Sequence, residues 1–189
     1  DQDENAAQHG YISVLPGNGD ATFNPPIRSN DFGVDIKGLL AGDFDDNAEP
    51  DLAFTGSSAQ VLLGDGDGTF TSSATIDGMG TAYPIAADFN NDGNKDMAAL
   101  APSDNLVMSL GNGDGTFSEA KQYVSEGAYE PSVFYEASPL IATDFNSDGY
   151  MDAAAVNSLK RIVTLFLWED SSEEFSAPVE IETGAFQPL

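Results

Sequence analysis

Short apolar runs separated by polar and glycine-rich segments recur along the chain. They are too short for an amphipathic helix, and their Gly, Asn and Asp boundaries are typical of β-strands joined by tight turns. In residues 82–125 the pattern predicts strands at 83–87, 96–100 and 106–110 and a fourth strand starting at Phe117. The pattern therefore predicts an all-β fold built from units of four short antiparallel strands.

The turn between the first two predicted strands, residues 88–96, has the pattern Asp-x-Asn-x-Asp-Gly-x-x-Asp. Residues 144–152 repeat this pattern, and residues 43–51 carry an eroded copy in which Ala48 replaces the glycine. We call these segments Asp loops 1 (43–51), 2 (88–96) and 3 (144–152) and number their positions from 1 to 9. A non-glycine residue is strained at positive φ, so we expect loop 1 to hold the weakest of the three sites.

The Asp loops carry the oxygen ligands that calcium prefers. Calcium takes six to eight hard oxygen ligands, and positions 1, 3, 5 and 9 supply side-chain oxygens while position 7 supplies a main-chain carbonyl. An EF-hand would require Glu at position 12, where loop 2 has Ala99. The alternative is that these residues only build turns. The predicted ligands are Asp43, Asp45, Asn47, Glu49 and Asp51 in loop 1, Asp88, Asn90, Asp92, Asn94 and Asp96 in loop 2, and Asp144, Asn146, Asp148, Tyr150 and Asp152 in loop 3.

A second motif, Leu-Gly-Asp/Asn-Gly-Asp-Gly-Thr-Phe, lies between the Asp loops at 63–70 and 110–117, with a looser copy at 15–23. Its terminal residues Phe23, Phe70 and Phe117 are spaced 47 residues apart. Asn-Gly and Asp-Gly between apolar runs indicate β-hairpins. A phosphate-binding loop is a poor alternative, because no helix follows and no Walker lysine is present. We call these segments glycine turns.

A period near 45 residues with four strands per unit is typical of β-propeller blades. The chain divides into a half blade (1–33) and three blades (34–80, 81–125 and 126–189), the last with an insertion in 121–138. Because propellers close with about four to eight blades, we expect a partial or open ring. The chain is then a fragment of a longer protein, half of a multi-chain ring, or an arc whose strand edges pair with another copy.

Several aromatic and small residues have predicted places in the core. We expect inter-blade positions for the phenylalanines at loop position 2 and at the ends of the glycine turns. The alanines of the second strands suit a crowded blade interior, and Trp168 is expected to be packed. The six phenylalanines are Phe44, Phe89, Phe145, Phe23, Phe70 and Phe117.

Charge limits the possible partners. The chain has 6 Lys and Arg residues against 32 Asp and Glu residues, a net charge of −26, which disfavours nucleic acid and anionic membranes. It has no cysteine and no apolar run long enough to insert in a membrane. The single histidine, His9, lies in a polar N-terminal segment, and no nucleophile is paired with a base by any motif. We therefore expect no enzyme activity.

The alternation of the Asp loops with the glycine turns resembles the FG-GAP or VCBS repeat family, known from the propeller of integrin α subunits. The resemblance implies a calcium-binding β-propeller module of a secreted or cell-surface protein. It implies a structural or adhesive role through a protein partner, the matrix or further copies of the chain. The first alternative is a carbohydrate-binding lectin that uses the insertion in 121–138, where tyrosines and acids concentrate. A part of a polysaccharide-active enzyme is the third.

Overall fold

A computed structural model describes residues 10–29, 31–80, 84–101, 105–124, 140–157 and 161–183, and their regular structure is entirely β. The strands are β1 (Ser13–Val14), β2 (Ile27–Arg28), β3 (Ile36–Gly42), β4 (Asp51–Gly56), β5 (Ala59–Gly64), β6 (Phe70–Ile76), β7 (Ile85–Ala87), β8 (Asp96–Leu100), β9 (Leu106–Ser109), β10 (Lys121–Tyr123), β11 (Leu140–Thr143), β12 (Asp152–Asn157), β13 (Ile162–Phe166), β14 (Trp168–Glu169), β15 (Glu174–Phe175) and β16 (Val179–Glu182).

These strands form three antiparallel sheets of four strands and two smaller hairpins. The sheet orders are β3-β4-β5-β6, β7-β8-β9-β10 and β11-β12-β13-β16, which we call blades 1, 2 and 3, and β1-β2 is the half blade. Strand β3 contacts β7, and β7 contacts β11, so the first strands of the blades follow one another along one side. The fold is therefore a partial β-propeller of three blades preceded by a half blade, and the predicted fold class is confirmed.

The predicted strands of blade 2 agree with the structure except at their ends. Strand β8 has the predicted bounds, whereas β9 ends at Ser109 and β10 begins at Lys121. The predicted start of the fourth strand at Phe117 is wrong. Phe117 forms only an isolated bridge with Gly111, and the ladder between β9 and β10 begins at the pair Met108 and Lys121.

The hydrophobic core lies between neighbouring blades. Blades 1 and 2 share one cluster that includes Phe44, Val61 and Met97, and blades 2 and 3 share another that includes Phe89 and Phe166. The alanines of the second strands are buried, as expected, and all but Ala154 lie in the two clusters between complete blades. They are Ala53, Ala98, Ala99, Ala153, Ala154 and Ala155.

Phenylalanine burial follows the position of each residue in the arc. Phe44 and Phe89 are buried, and Phe70 and Phe117 are partly buried against the core. The predicted core positions of Phe145 and Phe23 are wrong, because these side chains are 41% and 64% exposed. Phe145 belongs to the last blade and Phe23 to the half blade, so each lacks the neighbour against which the equivalent residues pack.

The third blade replaces the glycine turn by the hairpin β14-β15. Trp168 in this hairpin is 2% exposed and packs edge-on against Phe175 at 5.3 Å between ring centroids, which confirms its packed position. The insertion predicted as a loop over 121–138 is wrong at its start: 121–123 form β10, and Tyr123 packs against Phe175 at 5.2 Å. Residues 125–138 and His9 lie outside the described residues.

Candidate metal centre

The three Asp loops have the same backbone geometry, which the aspartate at position 1 organises. Asp88 Oδ1 accepts a hydrogen bond from the N–H at position 5 at 3.1 Å, and Asp88 Oδ2 accepts one from the N–H of Gly93 at 3.0 Å. Asp43 and Asp144 accept the same pair of donors in loops 1 and 3. The loop therefore wraps around the carboxylate at position 1.

The side chain at position 5 also accepts a backbone hydrogen bond within each loop. The side-chain oxygen of Asn47, Asp92 or Asp148 accepts the N–H of position 7 at 2.7, 2.7 and 2.9 Å respectively. The N–H of position 7 is held in this way, and none of these bonds uses its carbonyl. This arrangement is compatible with the predicted main-chain ligand.

Two positions of each loop adopt positive φ. At position 4 a non-glycine residue has positive φ in every loop, for example Asn91 with φ 58°. Position 6 has φ 94° at Gly93 and 95° at Gly149, and 67° at Ala48. The predicted positive φ of Ala48 is confirmed, and this alanine is strained because its Cβ crowds the backbone in that conformation.

The aspartate at position 9 holds each loop to the next hairpin of its blade. Asp96 is fully buried, its Oδ2 accepting the N–H of Phe89 at 2.8 Å and its Oδ1 the N–H of Gly111 at 2.9 Å. Asp51 bridges Phe44 to Gly64, and Asp152 bridges Phe145 to Trp168, in the same manner. This cross-link was not predicted, because the distance along the chain from position 9 to its second donor differs between blades.

Loop 1 brings three carboxylates together. The ligand oxygens of Asp43, Asp45 and Asp51 lie within 4.8 Å of one another. Asp45 Oδ2 accepts a hydrogen bond from the Asn47 amide at 3.0 Å, whereas Asp45 Oδ1 is buried without a hydrogen-bond partner. A buried carboxylate oxygen without a donor is costly unless a cation neutralises it. The residues of loop 1 therefore fit a bound calcium ion.

Loops 2 and 3 have asparagine at position 3 and aspartate at position 5, the reverse of loop 1. The amides of Asn90 and Asn146 donate to Asp92 and Asp148 at 2.9 and 2.8 Å. Each asparagine also turns its oxygen to the N–H of position 5. The two loops thus keep oxygen ligands at all five predicted positions and, like loop 1, carry three aspartates among positions 1, 3, 5 and 9.

Two acids of loop 2, Asp92 and Asp96, have perturbed pKa values. Burial raises the pKa of Asp96 to about 6 against the hydrogen bonds from Gly111 and Phe89, and the charges of Asp92 and Asp88 raise it further. Burial also acts to raise the pKa of Asp92, but hydrogen bonds from Asn94 and Asn90 outweigh it, and the pKa is lowered. A loop in which one carboxylate resists ionisation beside two others is a site that favours a cation.

The side chains at position 7 face the hairpin between the third and fourth strands of their own blade. The Glu49 carboxylate lies beside Gly66, and Asn94 Oδ1 lies so close to Gly113 that no Cβ fits there. Tyr150 forms a side-chain hydrogen bond with Asp170, which raises its pKa. These side chains therefore lie against the hairpin, and the predicted ligand at position 7 is the main-chain carbonyl.

The acids of the glycine turns have a different role. The hydroxyl and N–H of the threonine two residues later bind the carboxylates of Asp20, Asp67 and Asp114, and these bonds lower the pKa of each acid. Such local bonds close a turn. The glycine turns are therefore hairpin connections, as predicted.

Hydrogen bonds also join the loops of neighbouring blades. The Asn91 amide of loop 2 donates to the Gly149 carbonyl of loop 3 at 2.8 Å, and the Gly115 N–H donates to the Phe44 carbonyl at 2.9 Å. These contacts could not be read from the repeat spacing, since they join motifs of different units. An ion in one loop would therefore stabilise a blade junction as well as its own hairpin.

Four-stranded blades that each carry an acidic loop between their first two strands define a repeat protein of the β-propeller class. The profile of the FG-GAP-like repeat matches residues 43–99 and 88–155, and the chain belongs to this family. The predicted family is thereby confirmed. A comparison with curated proteins finds no match.

Two solved structures have a similar fold. A lectin of Agrocybe aegerita, described as recognising non-reducing terminal N-acetylglucosamine, has 21% identity and a TM-score of 0.64 over 91% of this chain and 46% of its own. The K499G mutant of NanB sialidase from Streptococcus pneumoniae has 12% identity and a TM-score of 0.58 over 93% of this chain and 29% of its own. This chain thus spans about half of the first protein and under a third of the second. Among the described residues, no helix is long and apolar enough to cross a membrane.

Proposed function

We propose that the chain is a calcium-binding β-propeller module of a secreted or cell-surface protein, with a structural and adhesive role. The observation that carries the proposal is the loop 1 cluster, in which Asp43, Asp45 and Asp51 converge and one oxygen of Asp45 is buried without a donor. Two further observations support it. Loops 2 and 3 have the same backbone hydrogen bonds to the aspartate at position 1, and the pKa of Asp96 is raised. The family assignment favours an extracellular location, where calcium is millimolar.

Calcium would act on stability rather than on a reaction. Each loop joins two strands of a blade and is bonded to the next hairpin, so an ion in the loop stabilises both connections. At the affinities typical of extracellular modules, each site contributes on the order of 1 to 2 kcal/mol in millimolar calcium. Three such sites would be a large part of a typical net stability of about 5 to 15 kcal/mol.

Calorimetric titration of the metal-free protein with calcium tests the proposal. We expect loops 2 and 3 to bind tightly and loop 1 more weakly, and each of the variants Asp45→Ala, Asp92→Ala and Asp148→Ala to lose one site. The control Asp114→Ala removes an acid of a glycine turn and should leave the number of ions unchanged. Absence of binding in the wild-type chain would refute the proposal, as would an unchanged number of ions in all three loop variants.

Carbohydrate binding is the second candidate, and the similarity of the fold to a lectin of known sugar specificity favours testing it. An open cavity of about 310 Å³ lies between the half blade and blade 1, lined by residues that include Arg28, Thr69 and Phe70. A glycan array should show binding that is lost in Tyr129→Ala or Tyr135→Ala if the insertion is the site, or in Arg28→Ala if the cavity is. A negative array in calcium would exclude this function for the sugars displayed.

A further inference from the structure

A repeated aromatic contact joins successive blades. Phe44 at position 2 of loop 1 packs edge-on against Phe117 of blade 2, with 5.8 Å between ring centroids. Phe89 at position 2 of loop 2 packs in the same way against Phe175 of blade 3 at 5.4 Å. Each junction therefore pairs the loop phenylalanine of one blade with the hairpin phenylalanine of the following blade.

At each end of the arc one phenylalanine of these motifs is left exposed. Phe145 of loop 3 has no following blade among the described residues, and Phe23, which ends the glycine turn of the half blade, has no preceding one. They are 41% and 64% exposed, and no other phenylalanine of the described ranges is among the exposed large hydrophobic residues. The two ends of the described arc thus expose the two halves of the contact that joins its blades.

The outer face of blade 3 is apolar as well. Strand pairing places Ile141, Ala154, Leu165 and Val179 in one row across the sheet, and Val156, Val163 and Ile181 in the next. Ile141, Val156, Val179 and Ile181 are 38% to 55% exposed. The opposite face of this sheet already packs on blade 2 through residues that include Ala153 and Phe166.

An antiparallel sheet with one solvated face normally alternates apolar and polar residues. Blade 3 instead has two apolar faces, as do the blades that are covered on both sides. In blade 1, the equivalent outer residues Leu40, Ala53 and Val61 lie in the cluster that blade 2 covers. The outer face of blade 3 therefore has the composition of a blade junction.

We propose that the outer face of blade 3 docks on the half blade of a second copy of this chain, with Phe145 packing against Phe23 of that copy. The half blade supplies the complement, since Leu15 and Phe23 are 53% and 64% exposed. The contact continues the repeat packing seen at both junctions between complete blades.

The contact joins two different surfaces, so it is heterologous. A head-to-tail contact leaves one unused surface at each end of a dimer, and further copies can add until a ring closes or a filament forms. The proposal rests on the proposed calcium binding in one respect. Copies with a net charge of −26 repel one another, and bound calcium lowers that charge by two per site.

Cross-linking between two cysteine variants tests the proposal, since the chain has no cysteine of its own. Asn24→Cys and Thr143→Cys place exposed thiols beside Phe23 and Phe145 while keeping both rings. In calcium, a short bismaleimide should join the two variants into a mixed dimer, and neither variant should cross-link to itself. Absence of the mixed dimer, or self-linking of Thr143→Cys alone, would overturn the head-to-tail contact.

A ring deletion provides the matched control. Phe145→Ser in the Thr143→Cys background should weaken association about tenfold, the effect of losing an aromatic pair of this kind. Val124→Ser, which changes an apolar residue that is 60% exposed outside blade 3, should leave the yield unchanged. Equal yields in the two variants would contradict the role of Phe145.

Light scattering and calcium titration separate this proposal from the proposed function. The molar mass in calcium should rise with concentration in multiples of 19.8 kDa. A constant monomer mass with calcium shown to bind would overturn this proposal alone. Cross-linking that persists in a chain shown to bind no calcium would overturn the proposed function and leave the contact standing.

Discussion

At Asp45, one carboxylate oxygen is held by the Asn47 amide and the other is buried without a donor. At position 9 of the same loop, both oxygens of Asp51 accept backbone N–H groups. The two acids have the same charge and lie in one cluster, but the protein satisfies only one of them. Position 9 is therefore a part of the scaffold, and Asp45 is the residue whose oxygen a metal ion would satisfy.

Replacing Ala48 by glycine should stabilise the chain, because Ala48 has φ 67° and glycine adopts this conformation without strain. We expect a gain of about 0.5 to 1 kcal/mol in the free energy of unfolding, measured in urea with chelator present. The matched change is Gly93→Ala, where φ is 94° and an added Cβ would meet no atom within 4 Å. Gly93→Ala should lower the free energy of unfolding by at least the same amount. If Gly93→Ala instead stabilised the chain, positive φ at position 6 would not be the cause of the strain.

The raised pKa of Asp96 predicts a pH dependence in metal-free protein. The folded chain holds this proton up to about pH 6, whereas the unfolded chain releases it near 3.8. Between these values the folded state binds more protons, so its stability falls as pH rises, by on the order of 3 kcal/mol from this group.

Saturating calcium should reverse the contribution of Asp96, because a cation in the loop favours the ionised carboxylate and should lower its pKa below the unfolded value. Urea midpoints from pH 4 to 7 with chelator and with calcium measure both slopes, and Asp96→Asn isolates the part that belongs to this residue. Equal slopes for wild type and variant in chelator would show that Asp96 does not titrate in this range.

At the scale of elements, the features that depend on local chemistry were predicted from the sequence. The bounds of β8, the burial of the second-strand alanines and the positive φ of Ala48 follow from turn residues, side-chain size and the loop pattern. The start of β10 could not be predicted, because it depends on where the ladder with β9 resumes after Phe117. The exposure of Phe23 and Phe145 depends on their places at the ends of the arc, which a motif alone does not encode.

The link between each Asp loop and the next hairpin predicts different results for two acids of loop 1. Asp51→Ala leaves the N–H groups of Phe44 and Gly64 without acceptors, at about 1 to 3 kcal/mol for each buried group, with or without calcium. Asp45→Ala removes an unsatisfied oxygen, so it should not destabilise the metal-free chain. It should lower only the part of the stability that depends on calcium. Denaturant unfolding with chelator and with calcium distinguishes them; equal losses in chelator would contradict the assignment of separate roles.

At the scale of the molecule, the described residues pack in three hydrophobic clusters, two between complete blades and one between the half blade and blade 1, and the loops concentrate acidic charge. The family assignment and the all-β fold were predicted from the repeat, and the number of blades in the arc agrees with the spacing of its motifs. The complete ring cannot be predicted from this chain, because ring closure depends on what covers the half blade and blade 3. A net charge of −26 opposes folding and association until cations reduce it.

The central claim, that calcium in the Asp loops holds this fold together, is tested most directly by the melting temperature in millimolar calcium and in EDTA. Three sites of about 1 to 2 kcal/mol each predict a melting temperature roughly 10 °C lower in EDTA. Magnesium should restore little of the difference, because it demands a smaller octahedral site. An unchanged melting temperature in EDTA, with the protein shown to be free of calcium, would contradict the claim.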